Sequence, residues 1–212
     1  MIKIKKFVVN PLQENSYVLS DETGECVFID PGFHFDVEKE EVLDYVKENN
    51  LTPVCIINTH CHFDHVMGVE FIRNAFKIPF AAHPDDADLI INAVEQGKLF
   101  GFPMEQVNAP DIWLHEGEDF SFGNTSMNIF HLPGHAPGHV AFYSSSDNVL
   151  ISGDVLFYGS IGRTDLPGGD YNQLISGIKE KLFTLPDETI VYCGHGPETS
   201  IGIEKASNPF LT

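Results

Sequence analysis

The sequence predicts an α/β fold, a four-layer αβ/βα sandwich with two packed mixed β-sheets at the centre and helices outside. Three observations predict it. Short runs rich in β-branched and aromatic residues alternate with Gly, Pro, Asn and Asp turn signals, which is how strands read. Segments with helical spacing fall between some of these runs, so part of each sheet is connected through helices. The order of strands followed by helix and strand units occurs twice without a sequence repeat, and 17 phenylalanines are available for two sheets packed face to face. The 212 residues suit one domain over 1–212, and no low-complexity linker divides them.

In chain order, Ile2–Val9, Ser16–Leu19 and Cys26–Ile29 read as strands, and Asp30-Pro31-Gly32 stops the third. Asp36–Asn50 is helical, with Asp36 as N-cap and Val37, Val42, Leu43 and Val46 on one face. The run Glu38–Glu41 is a solvated helix face. Val54–Asn58 is a buried apolar strand, followed by a helix over Val66–Phe76 and a short strand at Phe80–Ala82. Pro84–Gln96 is a third helix, with proline at its first position. Gly97–Asp111 lacks periodicity and reads as a loop or lid. Its Leu99, Phe100, Phe102 and Met104 either pack on the core or wall a substrate. Strands return at Asp119–Phe122, Ser126–His131, Val140–Tyr143 and Val149–Ser152. A Gly-rich segment, Gly159–Gly169, leads to a helix at Tyr171–Phe183, a last strand at Thr189–Cys193 and a short helix at Glu198–Ala206.

Charge narrows the partners. Asp and Glu number 31 against 12 Lys and Arg, a net charge of −19, which repels phosphate backbones and argues against nucleic acid. No apolar run reaches the ~20 residues of a membrane span, and the N-terminus has no secretory pattern. Cys26, Cys55, Cys61 and Cys193 lack CxxC spacing, which fits a reduced cytoplasm. The oligomeric state is left open.

Histidine carries the functional signal, with ten in the chain. After the strand Val54–Asn58 comes Thr59-His60-Cys61-His62-Phe63-Asp64-His65. Imidazoles two apart on an extended segment project together toward one ion, and Asp64 and His65, where the chain turns into the next helix, face a second. Imidazole nitrogen and carboxylate oxygen suit zinc, and also iron or manganese. Further ligands stand beside glycine at later strand ends: His135 in Pro133-Gly134-His135, Asp154 in Ser152-Gly153-Asp154, and His195 in Cys193-Gly194-His195. Cys61 points away from its two histidine neighbours and reads as structural. His34, His83, His115 and His131 read as surface or turn residues, and His139 reads as the start of a strand.

With this HxHxDH motif and its spaced His, Asp and His, the chain resembles the metallo-β-lactamase-fold hydrolases, and within them the single-domain bacterial glyoxalase II-like group. The resemblance implies one metal held by His60, His62 and His135, a second by Asp64, His65 and His195, and Asp154 bridging. It also gives His139 an alternative role, support of a ligand. Two divalent ions, zinc foremost with iron or manganese as alternatives, share a water and bring its pKa toward neutrality. The implied reaction is hydrolysis of a small-molecule thioester, S-lactoylglutathione or a related acyl-thiol, by a hydroxide that bridges the ions. Asp64, ligand and acceptor at once, orients it.

The segment Gly162-Arg163-Thr164-Asp165 is similar to the glyoxalase II-like and persulfide dioxygenase groups. Glyoxalase II of the two-domain type has a glutathione-contacting lysine at the position of Arg163 and a tyrosine at that of Asp165. Arg163 is thus either a substrate-binding cation or half of an Arg163–Asp165 ion pair. Seventeen residues follow His195, fewer than the helical glutathione-gripping region of the two-domain enzymes needs. The alternatives are a mononuclear iron oxidoreductase of the persulfide dioxygenase kind, a β-lactamase or lactonase, the lactamase disfavoured by the lack of an export signal, and a non-catalytic metal-binding module.

Overall fold

A computed structural model describes residues 1–212. The first sheet opens as an antiparallel meander, β1 (Lys3–Val9), β2 (Glu14–Ser20) and β3 (Glu25–Ile29). It continues in parallel through β4 (Thr52–Ile57), β5 (Phe80–Ala82) and β6 (Ile112–Trp113). The second sheet runs antiparallel through β7 (Asp119–Phe122), β8 (Thr125–His131), β9 (Val140–Ser144) and β10 (Val149–Gly153). A hairpin, β11 (Leu156–Phe157) and β12 (Ser160–Ile161), follows. The chain then returns beside β10 as the parallel β13 (Ile190–Cys193), with β14 (Thr199–Ser200) on its edge.

Alternation along the inner strands builds the layers, because successive side chains leave a strand on opposite faces. On β3, Val27 and Ile29 enter the core between the sheets while Cys26 and Phe28 face the helices of the first sheet. On β10, Val149 and Ile151 enter the same central core and Leu150 faces the helices of the second. Strands buried on both faces read as unbroken apolar runs. Helices α1 (Asp36–Glu48), α2 (Phe63–Val66), α3 (Val69–Phe76) and α4 (Ala87–Leu99) accompany the first sheet, and α5 (Tyr171–Glu180) and α6 (Ile201–Ser207) the second. This is the expected four-layer α/β architecture.

Several boundaries differ from expectation for physical reasons. Phe35, not Asp36, is the N-cap of α1. Glu38 accepts the N–H groups of His34 and Phe35 at 2.8 and 2.9 Å, so the orphan amides of the helix start need no capping side chain at Asp36. Val37 is 69% exposed, because five residues of helix carry it off the stripe of Val42 and Val46. The helix expected at Val66–Phe76 is two. It starts early, at Phe63, and breaks at Gly68, whose N–H donates to Pro31 O at 2.7 Å. Asp64 and His65 therefore lie on α2. Pro84 opens a 3-10 turn rather than the helix, and α4 extends to Leu99. Within the expected loop, Leu99 and Phe100 line the cavity over the histidines, while Phe102 and Met104 pack on the core. The pairs β6, β11, β12 and β14 were too short to read from pattern.

Candidate metal centre

The HxHxDH segment is tied into a tight loop from within. Asn58, just past β4, donates from Nδ2 to the carbonyls of His60 (3.1 Å) and His65 (2.8 Å). The peptide N–H of Cys61 donates to Asp86 Oδ2 at 2.8 Å, which turns the cysteine into the core and leaves His60 and His62 facing the opposite way. Burial pushes the Cys61 thiol well above its usual range, so it is no nucleophile.

Three strand ends in the second sheet meet this loop. His135 follows β8, Asp154 follows β10, and His195 follows β13. Glycine is required twice here. Gly153 holds φ +51°, a left-handed conformation that re-aims the chain into Asp154, and a Cβ there would strike Thr59 Oγ1. A Cβ at Gly194 would land on Asp154 Oδ1.

The donor atoms form two adjacent groups. His60, His62 and His135 place ring nitrogens within 4.8 Å of one another, and Asp64, His65 and His195 do the same with their donors. In the first group His62 Nδ1 is 2.9 Å, and His60 Nε2 3.2 Å, from His135 Nε2. In the second His195 Nε2 and His65 Nε2 stand 3.4 and 3.9 Å from Asp64 Oδ2. Asp154 lies between them: its Oδ2 is 3.5 Å from His135 Nε2 and 3.6 Å from His195 Nε2, and its Oδ1 is 3.6 Å from His65 Nε2.

The remaining ring nitrogens are spent on the protein, and this sets the tautomers. His135 Nδ1 donates to Arg163 O at 2.8 Å, and His195 Nδ1 to Leu12 O at 3.2 Å. His65 Nδ1 donates to Asp30 Oδ2 at 3.1 Å. The Thr59 hydroxyl donates to Asp30 Oδ2 at 2.5 Å, so it accepts from His60 Nδ1 at 3.1 Å. In the neutral rings the Nε2 atoms of all four are thereby left directed at the shared space. Burial opposes charge on His65 and His195, but Asp154 and Asp64 outweigh it and raise both pKa values, a positive charge that a bound cation would replace.

That arrangement fits divalent cations. Two Nε2 lone pairs, those of His60 and His135, face each other at 3.2 Å with no proton between them. His65 Nε2 and Asp154 Oδ1 are buried without a hydrogen-bond partner. The 3.4–3.9 Å separations in the second group are close to the roughly 3.3 Å edge of a tetrahedron of ligands at zinc distances. Burial, reinforced by His65 beside it, holds the His60 pKa far below its ordinary value, and burial with His135 brings His62 down to about 3. Both present neutral imidazoles. For Asp154 burial opposes ionisation, but His65, His195 and His135 outweigh it and hold the carboxyl well below the usual range.

Residues 9–195 match the Metallo-beta-lactamase superfamily. The chain belongs to that superfamily. Hydroxyacylglutathione hydrolase GloC of Haemophilus influenzae is 38% identical to it over 99% of this chain and 98% of its own. Among solved structures, BLEG-1 B3 metallo-beta-lactamase superposes with a TM-score of 0.91 at 40% identity, covering 99% of this chain and 100% of that one. TTHA1623 in a di-iron-bound form superposes with a TM-score of 0.89 at 41% identity, covering 98% and 100%. This metallo-beta-lactamase superfamily chain is a metallo-hydrolase whose histidine and aspartate clusters suit divalent metal.

The other sequence-predicted residues fall out as follows. Arg163 makes a two-toothed ion pair with Asp165, Nε to Oδ1 at 2.8 Å and Nη2 to Oδ2 at 2.7 Å. His139 supports the site and also precedes β9: its Nε2 accepts the Asp154 N–H at 3.0 Å, and its ring stacks on His60 at 4.8 Å. Of the histidines read as surface or turn residues, His83 caps the 3-10 turn at Pro84 and is buried, 8% exposed and stacked on His131.

Four supporting residues escaped the sequence reading. Asp30, seen only as part of a turn, accepts from Thr59 and His65 together. Asn15 clamps the His195 loop across the sheets through Cys193 O and Gly196 O, both at 2.9 Å. Asp86 bonds the Cys61 and Gly138 amides; burial pushes it up to about 6 while those bonds oppose the shift. Asn58 closes the motif loop. Only Asp30 had a usable signal, an acid directly after a buried strand.

No helix is long and apolar enough to cross a membrane.

Proposed function

We propose that this chain hydrolyses an acyl thioester at a centre of two divalent ions. In this reading His60, His62 and His135 hold one ion, Asp64, His65 and His195 the other, and Asp154 serves both. The observation that carries it is the position of Asp154, whose carboxylate stands 3.5–3.6 Å from a histidine nitrogen of each group.

Bound there, two divalent ions supply a water acidified toward neutral pH and an electrophile for the substrate carbonyl. The protein's own contribution is preorganisation. The anchored Nδ1 atoms fix the ring directions of His60, His65, His135 and His195, so little reorganisation accompanies the reaction. Asp64, 12% exposed at its side chain, faces the cavity and is placed to accept a hydrogen bond from the attacking water. The apolar walls of Leu89, Phe100 and Phe157 keep bulk water from the carbonyl. A thiolate departs without obligatory protonation, which suits a cavity whose only charged side chain beyond the proposed metal-holding residues is the paired Arg163.

Zinc leads as the metal, with iron and manganese compatible with the same donors. An iron oxidoreductase that used a single ion at His60, His62 or His135, and Asp154, would leave Asp64, His65 and His195 converging without a use. The 40% identity to the BLEG-1 B3 metallo-beta-lactamase favours a second reading, opening of a lactam or lactone ring by the same centre.

The test pairs elemental analysis of protein purified without added metal with a panel of thioesters, lactones and a chromogenic cephalosporin. The expected result is two ions per chain and thioester turnover above the others. One ion with oxygen consumption on a persulfide, or turnover confined to the cephalosporin, would overturn it.

A further inference from the structure

The cavity over the histidines is about 620 Å³ and reaches from His62, Asp154 and His195 out to Leu99 and Arg163. Two features bear on its occupant. Its walls beyond the metal-facing residues are mainly apolar, with Leu12, Leu89, Phe100, Phe157, Ile161 and Leu166. At its mouth Leu99 is 85% and Phe100 51% exposed, while Phe100 lies stacked against Phe63 of the motif at 5.0 Å and 19°. An exposed leucine beside a stacked, half-exposed phenylalanine, continuous with an apolar cavity wall, is the kind of rim an apolar ligand covers.

The second feature is charge. Arg163 is the one lysine or arginine on the cavity wall, and Asp165 occupies its Nε and Nη2 edge. That is one of the two edges on which a guanidinium takes a carboxylate as a two-toothed partner, and it leaves Nη1 as the side open to a substrate. The remaining polar wall, Gln96 and Ser160, is neutral.

We propose that this site selects thioesters by a medium-length apolar acyl chain and takes them on an uncharged thiol, with Asp165 acting as a specificity-determining residue that withholds Arg163 from anionic carriers. The proposal rests on the thioester reading above and extends it to the substrate class. The acyl chain lies along the Leu89, Phe100 and Leu166 wall, where each methylene withdrawn from water strengthens binding by up to about fourfold. An anionic carrier such as glutathione meets a guanidinium whose charge Asp165 already offsets, so its carboxylates gain little from Arg163.

Non-hydrolysable thioethers separate this from catalysis. Calorimetry on metal-loaded protein would compare S-butyl- and S-octyl-N-acetylcysteamine with S-octylglutathione. The octyl compound is expected to bind at least about tenfold more tightly than the butyl. The glutathione conjugate should bind no better than its neutral counterpart. Asp165→Asn should improve the ratio of glutathione to neutral affinity by about two- to fivefold, the scale of an exposed ion pair. Phe100→Ser, at an exposed position, should flatten the chain-length dependence while leaving metal content intact.

Equal butyl and octyl affinity, or a wild-type preference above tenfold for the glutathione conjugate, would overturn the proposal. Failure of the thioester reading looks different: chain-length-dependent binding in a protein that turns over no thioester would sink that reading and leave the pocket's preference standing. Turnover of thioesters at rates indifferent to acyl length would do the reverse.

Discussion

Two histidine clusters stand on this molecule, and they are built on opposite plans. In the central one, the Nδ1 atoms of His60, His65, His135 and His195 are bound to the protein and the Nε2 atoms are left aimed at common points. In the peripheral one, His83, Asp85 and His131 also bring donors within 4.8 Å. There His83 Nδ1 accepts the Asp85 N–H at 3.3 Å, and His131 Nε2 donates to Pro137 O at 2.9 Å. Their rings stack in parallel at 4.1 Å, and the Asp85 side chain is 57% exposed. The nitrogens nearest the third ligand are already used. Proximity of donors does not make a metal site; the donors must also be free, fixed in direction and costly to leave unpaired.

The comparison is broken most severely at Asp154. Asp154→Ala removes the carboxylate both central groups share, and we expect loss of bound metal together with at least a hundredfold loss of turnover, read by elemental analysis and steady-state rates. Full turnover with one ion retained would contradict a paired centre. Asp30→Asn acts one step behind the ligands. It weakens the acceptor that orients both Thr59 and His65, and metal affinity should fall roughly 10- to 100-fold in a chelator competition. Unchanged affinity would mean that the ring directions are set by packing alone.

At the other cluster the same treatment should do little to metal. His83→Ala with His131→Ala is expected to leave the number of bound ions unchanged and to lower thermal stability through loss of the buried stack, by about 1–2 kcal/mol. A lost ion in that variant would show that the peripheral donors are not spent. The smallest effect concerns pH. Burial, with His131 beside it, brings His83 down to about 4 from an ordinary value near 6.5. A base depressed in the folded state is protonated preferentially in the unfolded chain between those values. Stability should therefore decline as pH drops from about 6.5 toward 4, and His83→Gln should remove that part of the slope in denaturant titrations.

The difference between the clusters also marks what sequence could convey. His60, His62, Asp64 and His65 are contiguous, so their spacing is a local pattern and was readable, as were the glycine-flanked His135, Asp154 and His195. Asp30, Asn15 and Asp86 act from far along the chain, Asp30 from 29 residues before Thr59 and Asn15 from 178 before Cys193. No periodicity encodes such distances. His83 does stand at a turn, but its burial is not legible there for the same reason, because the ring it stacks on is 48 positions away on the other sheet.

The chain's order of apolar runs, turn residues and histidine spacing determined by itself the layered architecture and the candidate donors, since strand alternation and loop ligands are short-range properties. Tertiary structure alone decided which nitrogens remain free. A lone pair is directed by whatever bonds the far side of its ring, and here those partners come from Asp30 through Thr59 and from the backbone of Arg163 and Leu12. It also decided that Arg163 is paired with Asp165, because the loop that carries both curls them onto one edge.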